Sequence, residues 1–240
     1  MPSRGDLDAL LERCSRLELQ ELNKPALRRR CRELRAWQAA RLARTYADLS
    51  RDPRYARGVA FLLEDLYGMH DFARRARDLV RAWDQLEMSL PQSGVELLRR
   101  TVEFEVLTGE LDHATALELG ETSVTEHTYA VAYRAAGQRR SREQQLELAL
   151  AMGLDLERAA RNPLVVVALA AAHIPARVAG FGVLQSFLER GYAAFRDSQG
   201  RTDLLDIVRE REILLMQRLF DALDNPFCIA RARRDGVLMQ

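Results

Sequence analysis

Lysine is all but missing from this 240-residue chain: Lys24 is the lone lysine among 36 basic residues, and the rest are arginine. Arginine and lysine bind anions with different geometry, but so uniform a bias along a whole chain is the mark of codon usage in a GC-rich genome. Arginine clusters therefore do not argue for phosphate binding by themselves. An excess of one charge is missing too, since 36 basic residues meet 35 acidic ones for a formal net charge of +1. That balance excludes a global field drawing the chain to nucleic acid or to an anionic membrane. Cysteine is scarce: Cys14, Cys31 and Cys228 are odd in number, far apart and without metal-ligand spacing. A disulfide framework is excluded, and buried thiols in a reducing compartment fit better. Long apolar runs are absent, the longest being the nine residues of 164–172, well short of the roughly 20 that a membrane helix needs. The N-terminal stretch has acidic residues early and no apolar core segment, so no signal peptide is expected and the expected location is the cytoplasm. Also lacking are a Gly-rich phosphate loop, a G-x-S-x-G turn, zinc-ligand spacing and H-E-x-x-H. No cofactor and no metal are expected on those grounds.

What is present is helical periodicity, with no period-2 strand beside it. The first helix is expected at 6–21, with Leu7, Leu10, Leu11, Cys14 and Leu17 on one side. Pro25 opens a second helix running to Leu49. Pro53 marks the next start, and Tyr55, Val59, Leu62, Leu63, Leu66 and Tyr67 make an i, i+3, i+4 stripe. Gly68 then falls where a left-handed residue ends a helix, and Asp71 is placed to cap the next one, whose stripe is Phe72, Ala76, Leu79, Val80, Trp83 and Leu90. The stretch 61–78 is thus expected to be an αα-hairpin around Gly68. Further helices are expected at 92–107, interrupted at Thr108-Gly109, then at 111–119, and at 123–136 with apolar residues on two faces. Ser141 is expected to cap a helix to Arg161. Pro163 starts the apolar helix that Pro175 stops, a helix follows at 183–198, and Thr202 or Asp203 caps the last one, to Leu223. No fixed-period repeat or low-complexity linker divides the chain. The expectation is all-α: a single irregular multi-helix bundle of about nine helices spanning 1–224, with a C-terminal tail at 225–240.

Glu212 is the most informative single residue. It falls in the middle of the stripe Leu205, Val208, Leu215, Met216, Leu219 and Leu223, where a bare carboxylate would be desolvated. It is therefore a general acid/base or ligand group in a polar site, or half of an ion pair with an arginine from another helix, and the ion pair is the simpler expectation. The candidate polar site between helices is Glu212 with Arg209, Glu64 and Tyr67. Glu64 and Asp65 lie opposite their helix's stripe, but Phe61 shares their side, which favours a packed contact there. Glu110-Leu-Asp-His113 has the Glu-x-x-His spacing of carboxylate-bridged di-metal bundles, yet the second copy such a site requires is absent. His173 is read as a helix-end residue. The second helix is rich in arginine, whereas 96–126 holds eight carboxylates against two arginines, an intramolecular counterpart for it.

Phe61-Leu62-Leu63-Glu64-Asp65-Leu66-Tyr67-Gly68, followed by Asp71-Phe72 and an arginine-rich run to Arg81, resembles the signature of the uncharacterised bacterial FFLEE-motif family. Leu62 and Asp65 replace a Phe and a Glu of that pattern. The segments "FLERGYAAF" and "REREILLMQRLFDALDNPF" are similar to the family's C-terminal half. The resemblance implies an all-helical protein of similar length and carries no activity with it.

The resulting expectation is a protein-interaction or structural module, binding a protein partner or itself, with no specific nucleic acid and no membrane. The alternative is an enzyme or small-ligand binder with a polar site at Glu212.

Overall fold

A computed structural model describes residues 4–66, 92–178, 182–196 and 203–229. Every regular element among them is helical: α1 (Arg4–Asn23), α2 (Pro25–Thr45), α3 (Ala47–Ser50), α4 (Ala56–Phe61) continuing as a π-helical turn (Leu62–Leu66), α5 (Gln92–Leu119), α6 (Glu126–Ala136), α7 (Arg139–Ala160), α8 (Pro163–Val178), α9 (Gly182–Arg196) and α10 (Asp203–Phe220). The all-α expectation holds. Gly68, Asp71 and the αα-hairpin expected around them lie outside the described residues.

Among the described residues, two apolar clusters of the core bear on the site. One joins Leu42, Tyr46, Val59, Phe61, Phe104, Leu156, Phe187, Phe195 and Leu205. The other joins Cys31, Leu34, Leu119, Tyr129, Tyr133, Leu215 and Leu219. Helices α2, α5 and α10 each run from one cluster to the other, so each has a position where its apolar stripe crosses the joint between them. Burying apolar surface is the main driving force, and the residues at that joint are where it lapses.

Several local expectations change on contact with the fold. The helix expected from Pro25 to Leu49 breaks at Tyr46, whose φ of −107° and ψ of 13° separate α2 from α3. The cause is tertiary: Arg211 donates to the Thr45 carbonyl at 2.7 Å, drawing it away from the helix ladder. The interruption expected at Thr108-Gly109 does not occur, and α5 runs through it. Gly109 permits a close approach instead, since a Cβ there would lie 2.9 Å from Leu17 Cδ1. Pro175 does not stop α8, which continues to Val178. Proline removes one donor from the ladder, and both Pro175 and Ala171, whose carbonyl is left over, are exposed to water. Helix α7 begins at Arg139 after Gln138, ahead of Ser141, and α10 ends at Phe220 rather than Leu223. Helix α6 starts at a capping box of Thr125 and Thr128. It buries one face only, through Tyr129, Ala130, Ala132 and Tyr133, leaving Val131 exposed. Phe61 is a core residue, its ring 5.4 Å from Phe187 and 6.1 Å from Phe195, so the contact on that side of its helix is indeed packed. Past α10 the chain folds back, and Phe227 lies edge-on to Trp37 at 5.5 Å.

Candidate functional site

The sequence of α10 places Val208 in one cluster and Leu215 in the other, with Arg211 and Glu212 between them. Glu212 Oε1 accepts from Arg41 Nη1 at 2.8 Å and from the Tyr46 hydroxyl at 2.9 Å. The two charged side chains are 10% and 14% exposed, Arg41 being the more buried. Burial opposes the charge on Arg41, but the facing carboxylate outweighs it and raises the guanidinium pKa above its ordinary value. One residue earlier, Arg211 turns to the start of α3 and grips Asp48 with both terminal nitrogens, at 2.9 and 2.7 Å. That hydrogen-bonded grip holds the Asp48 carboxyl below its ordinary 3.8. The adjacent pair Arg211-Glu212 thus staples α10 across the break between α2 and α3.

Behind Glu212 lies a polar cavity of about 80 Å³, lined among others by Gln38, Thr108, Asp112, Arg142 and Gln145. Clefts that take organic ligands run from about 300 to 1,000 Å³, so this one admits a few waters and no substrate. Arg142 closes its far side, bonding Thr115 Oγ1 at 2.9 Å and lying 3.6 Å from the centre of the Tyr133 ring. Of the residues named with Glu212 from sequence, Arg209 and Glu64 are exposed and neither lines the cavity, while Tyr67 lies outside the described residues. The groups that do meet Glu212, Arg41 and Tyr46, are more than 160 positions away, and no local signal announces them.

The Glu-x-x-His spacing does not build a metal site either. Glu110 is held by Arg13, at 2.9 and 2.6 Å, and His113 turns to α1, with Nε2 3.0 Å from Glu21 Oε1 and Nδ1 3.2 Å from Gln20 Oε1. Glu21, Cys31 and His113 do bring their ligand atoms within 4.8 Å of one another. The cation there is already present: Arg35 bonds Glu21 at 3.0 Å and Asp112 at 2.8 Å. Burial pushes the Cys31 thiol up to about 12, so at neutral pH it is a protonated, buried thiol. The basic helix and the acidic segment meet as anticipated, through Arg35–Asp112 and, at 3.6 Å, Arg44–Glu126. His173 is not a helix end; it sits inside α8 with Nδ1 2.7 Å from Glu189 of α9.

A family model described as "Domain of unknown function (DUF8198)" matches residues 18–226. The chain belongs to that family. No curated protein and no solved structure matches it. The DUF8198 span takes in the Arg41–Glu212 joint and all of α8, and an uncharacterised helical family is what the motif at 61–72 implied.

Within that span, and among the described residues, α8 leaves the most large apolar side chains exposed. One side packs through Val165 and Leu169 against the first cluster. On the other, Leu164, Val167, Ile174 and Val178 are 72, 66, 71 and 84% exposed. With Ala171, also exposed, they recur at intervals of three, four, three and four residues, the spacing of a coiled-coil seam. Among the exposed positions of α8 only Arg177 is charged. No single helix among the described residues is long and apolar enough to cross a membrane.

Proposed function

We propose that this protein is a helical interaction module that works as a homodimer, with α8 as the contact. The observation that carries the reading is the seam Leu164, Val167, Ala171, Ile174, Val178. It is close to symmetric about Ala171: two large apolar residues lie on each side, with the small one at the centre. Laid antiparallel on a second copy, Leu164 meets Val178, Val167 meets Ile174, and the two alanines face each other where the helices cross. A second copy is thus the occupant whose shape the seam itself specifies. The stripe offers roughly 500 Å² of apolar surface, at the upper end of what a monomer leaves uncovered. With the flanking Ala168, Ala170 and Pro175 it approaches the roughly 800 Å² per partner of a standard interface.

A membrane-surface helix is the less suited reading, because such helices carry a strongly basic polar face, and here the opposite face is packed on the protein. Specific nucleic-acid binding is unsupported by a near-neutral chain whose basic helix already meets the acidic segment. The Glu212 joint belongs to this reading as a structural ion pair that sets the angle between α10 and the α2–α3 break. The bacterial FFLEE-motif assignment and a cytoplasmic location complete the reading, resting on the 61–72 motif and on the thiol content. Sedimentation velocity tests it. At tens of micromolar the chain is expected to sediment as a dimer, and Val167→Glu as a folded monomer; a wild-type monomer, or a dimer that survives Val167→Glu, contradicts it.

A further inference from the structure

A second feature lies on a different face and stands independently of the dimer. The break between α2 and α3 opens a groove of about 390 Å³ toward α6, α10 and Phe227, inside the volume range of small-ligand clefts. Four guanidiniums line it: Arg41, Arg44, Arg51 and Arg211. The acidic groups on its lining are Asp48 and Glu126. Asp48 is consumed by Arg211, and Glu126 is only loosely paired to Arg44, at 3.6 Å with both side chains 56% exposed. Arg41 answers to Glu212 behind the wall. The Arg51 side chain has no hydrogen bond or ion pair among the described residues, its backbone N–H alone donating, to Leu49. The lining carries four cations against two anions; with Glu212 behind the wall counted, one positive charge, that of Arg51, is left over.

The buried pair is also under-satisfied. Arg211 is 7% exposed and Arg41 10%, yet among the described residues the Nε–H of each finds no acceptor. Buried polar atoms in folded proteins are nearly always bonded, and two of the three such donors among the described residues, Arg218 Nε being the other, belong to guanidiniums that line this groove. Arginine abundance in this chain carries no weight; the convergence of four on one concave surface, two of them held rigid by ion pairs, does.

We infer that this groove binds a small phosphate dianion, with the forked guanidiniums supplying paired donors and the Phe227 side accepting an apolar substituent. Isothermal titration with inorganic phosphate and with phenyl phosphate, at fixed ionic strength, tests it. Phenyl phosphate is expected to bind below about 1 mM and more tightly than inorganic phosphate. Arg51→Ala and Arg44→Ala, both at exposed positions, are each expected to weaken it about tenfold or more, the worth of a charged hydrogen bond. Arg28→Ala, exposed on α2 away from the groove, is expected to change nothing. No heat with either compound, or equal weakening by Arg28→Ala and Arg51→Ala, overturns the site and leaves only an arginine-rich surface.

Discussion

Replacing Glu212 by alanine is the perturbation that best probes how these two clusters of the core are joined. The carboxylate takes one bond from Arg41 and one from Tyr46, both through Oε1. Its loss leaves a guanidinium 10% exposed with one orphan nitrogen already and no counter-charge. Removing one member of a buried pair costs about 3–5 kcal/mol. The polar cavity behind Glu212 lets a water answer part of that demand, so the lower end, about 3 kcal/mol, is expected. In a chain of this length that lowers the thermal midpoint by about 6–12 °C. Glu212→Gln keeps an acceptor for Tyr46 and is expected to cost about half as much. Circular dichroism at 222 nm during heating, with urea titration beside it, measures both. In a double-mutant cycle with Arg41→Ala the two losses are expected to be strongly non-additive. A Glu212→Ala midpoint within a degree of wild type, or above it, refutes the structural reading and marks the carboxylate as kept for function at the expense of stability.

Other outcomes follow from the same contacts. At Gly153 a Cβ would meet Leu205 Cδ2 at 2.6 Å and its Cδ1 at 3.2 Å, and Leu205 is buried. Gly153→Ala is therefore expected to destabilise by about 1 kcal/mol net, overpacking outweighing the helix-propensity gain of about 1 kcal/mol; a stabilised variant in urea denaturation contradicts this. Asp48 and Glu21 both titrate below their ordinary 3.8 and 4.5, so their share of stability is full above those values and is lost as pH falls through the lowered folded ones. Melting is expected to be flat from about pH 5 to 7 and to fall below about pH 4, with a shallower fall in Asp48→Asn. With a thiol reagent at pH 8, exposed Cys228 is expected to react quickly and buried Cys31, pushed up to about 12, only on unfolding. Mass spectrometry of the labelled native protein reads the site, and fast labelling of Cys31 refutes its burial.

The sequence was legible wherever a residue's role is local. Apolar stripes announced the helices, α5 ends at Leu119 where the helix at 111–119 was expected to end, at Gly120 with a φ of +55°, and Glu212 stood out because it interrupts its own stripe. What failed were punctuation marks whose meaning is tertiary. Gly109 reads as a break, but it makes room for Leu17 of another helix. Tyr46 lies inside the helix expected from Pro25 to Leu49, yet the chain breaks there, where Arg211 donates to the neighbouring Thr45 carbonyl. Pro175 reads as a stop, but it sits on the exposed side of α8 and the helix continues to Val178. The candidate site suffered likewise: Glu212 was identifiable, whereas Arg41 and Tyr46 come to it from α2, at a sequence distance that no periodicity spans. The seam on α8 was visible as an apolar run; which side of it stays uncovered required the packing of α9.

The central claim is that α8 pairs with itself about Ala171, and a cysteine placed there reads the pairing directly. In a Cys228→Ser background, Ala171→Cys would put two thiols across the twofold axis with Cα atoms within about 7 Å, the reach of a disulfide. Mild oxidation is expected to yield a covalent dimer in high yield on non-reducing gels, with Leu117→Cys, exposed on α5, remaining monomeric. Ala171→Cys that stays monomeric under the same oxidation, or crosslinks no better than Leu117→Cys, would contradict the dimer.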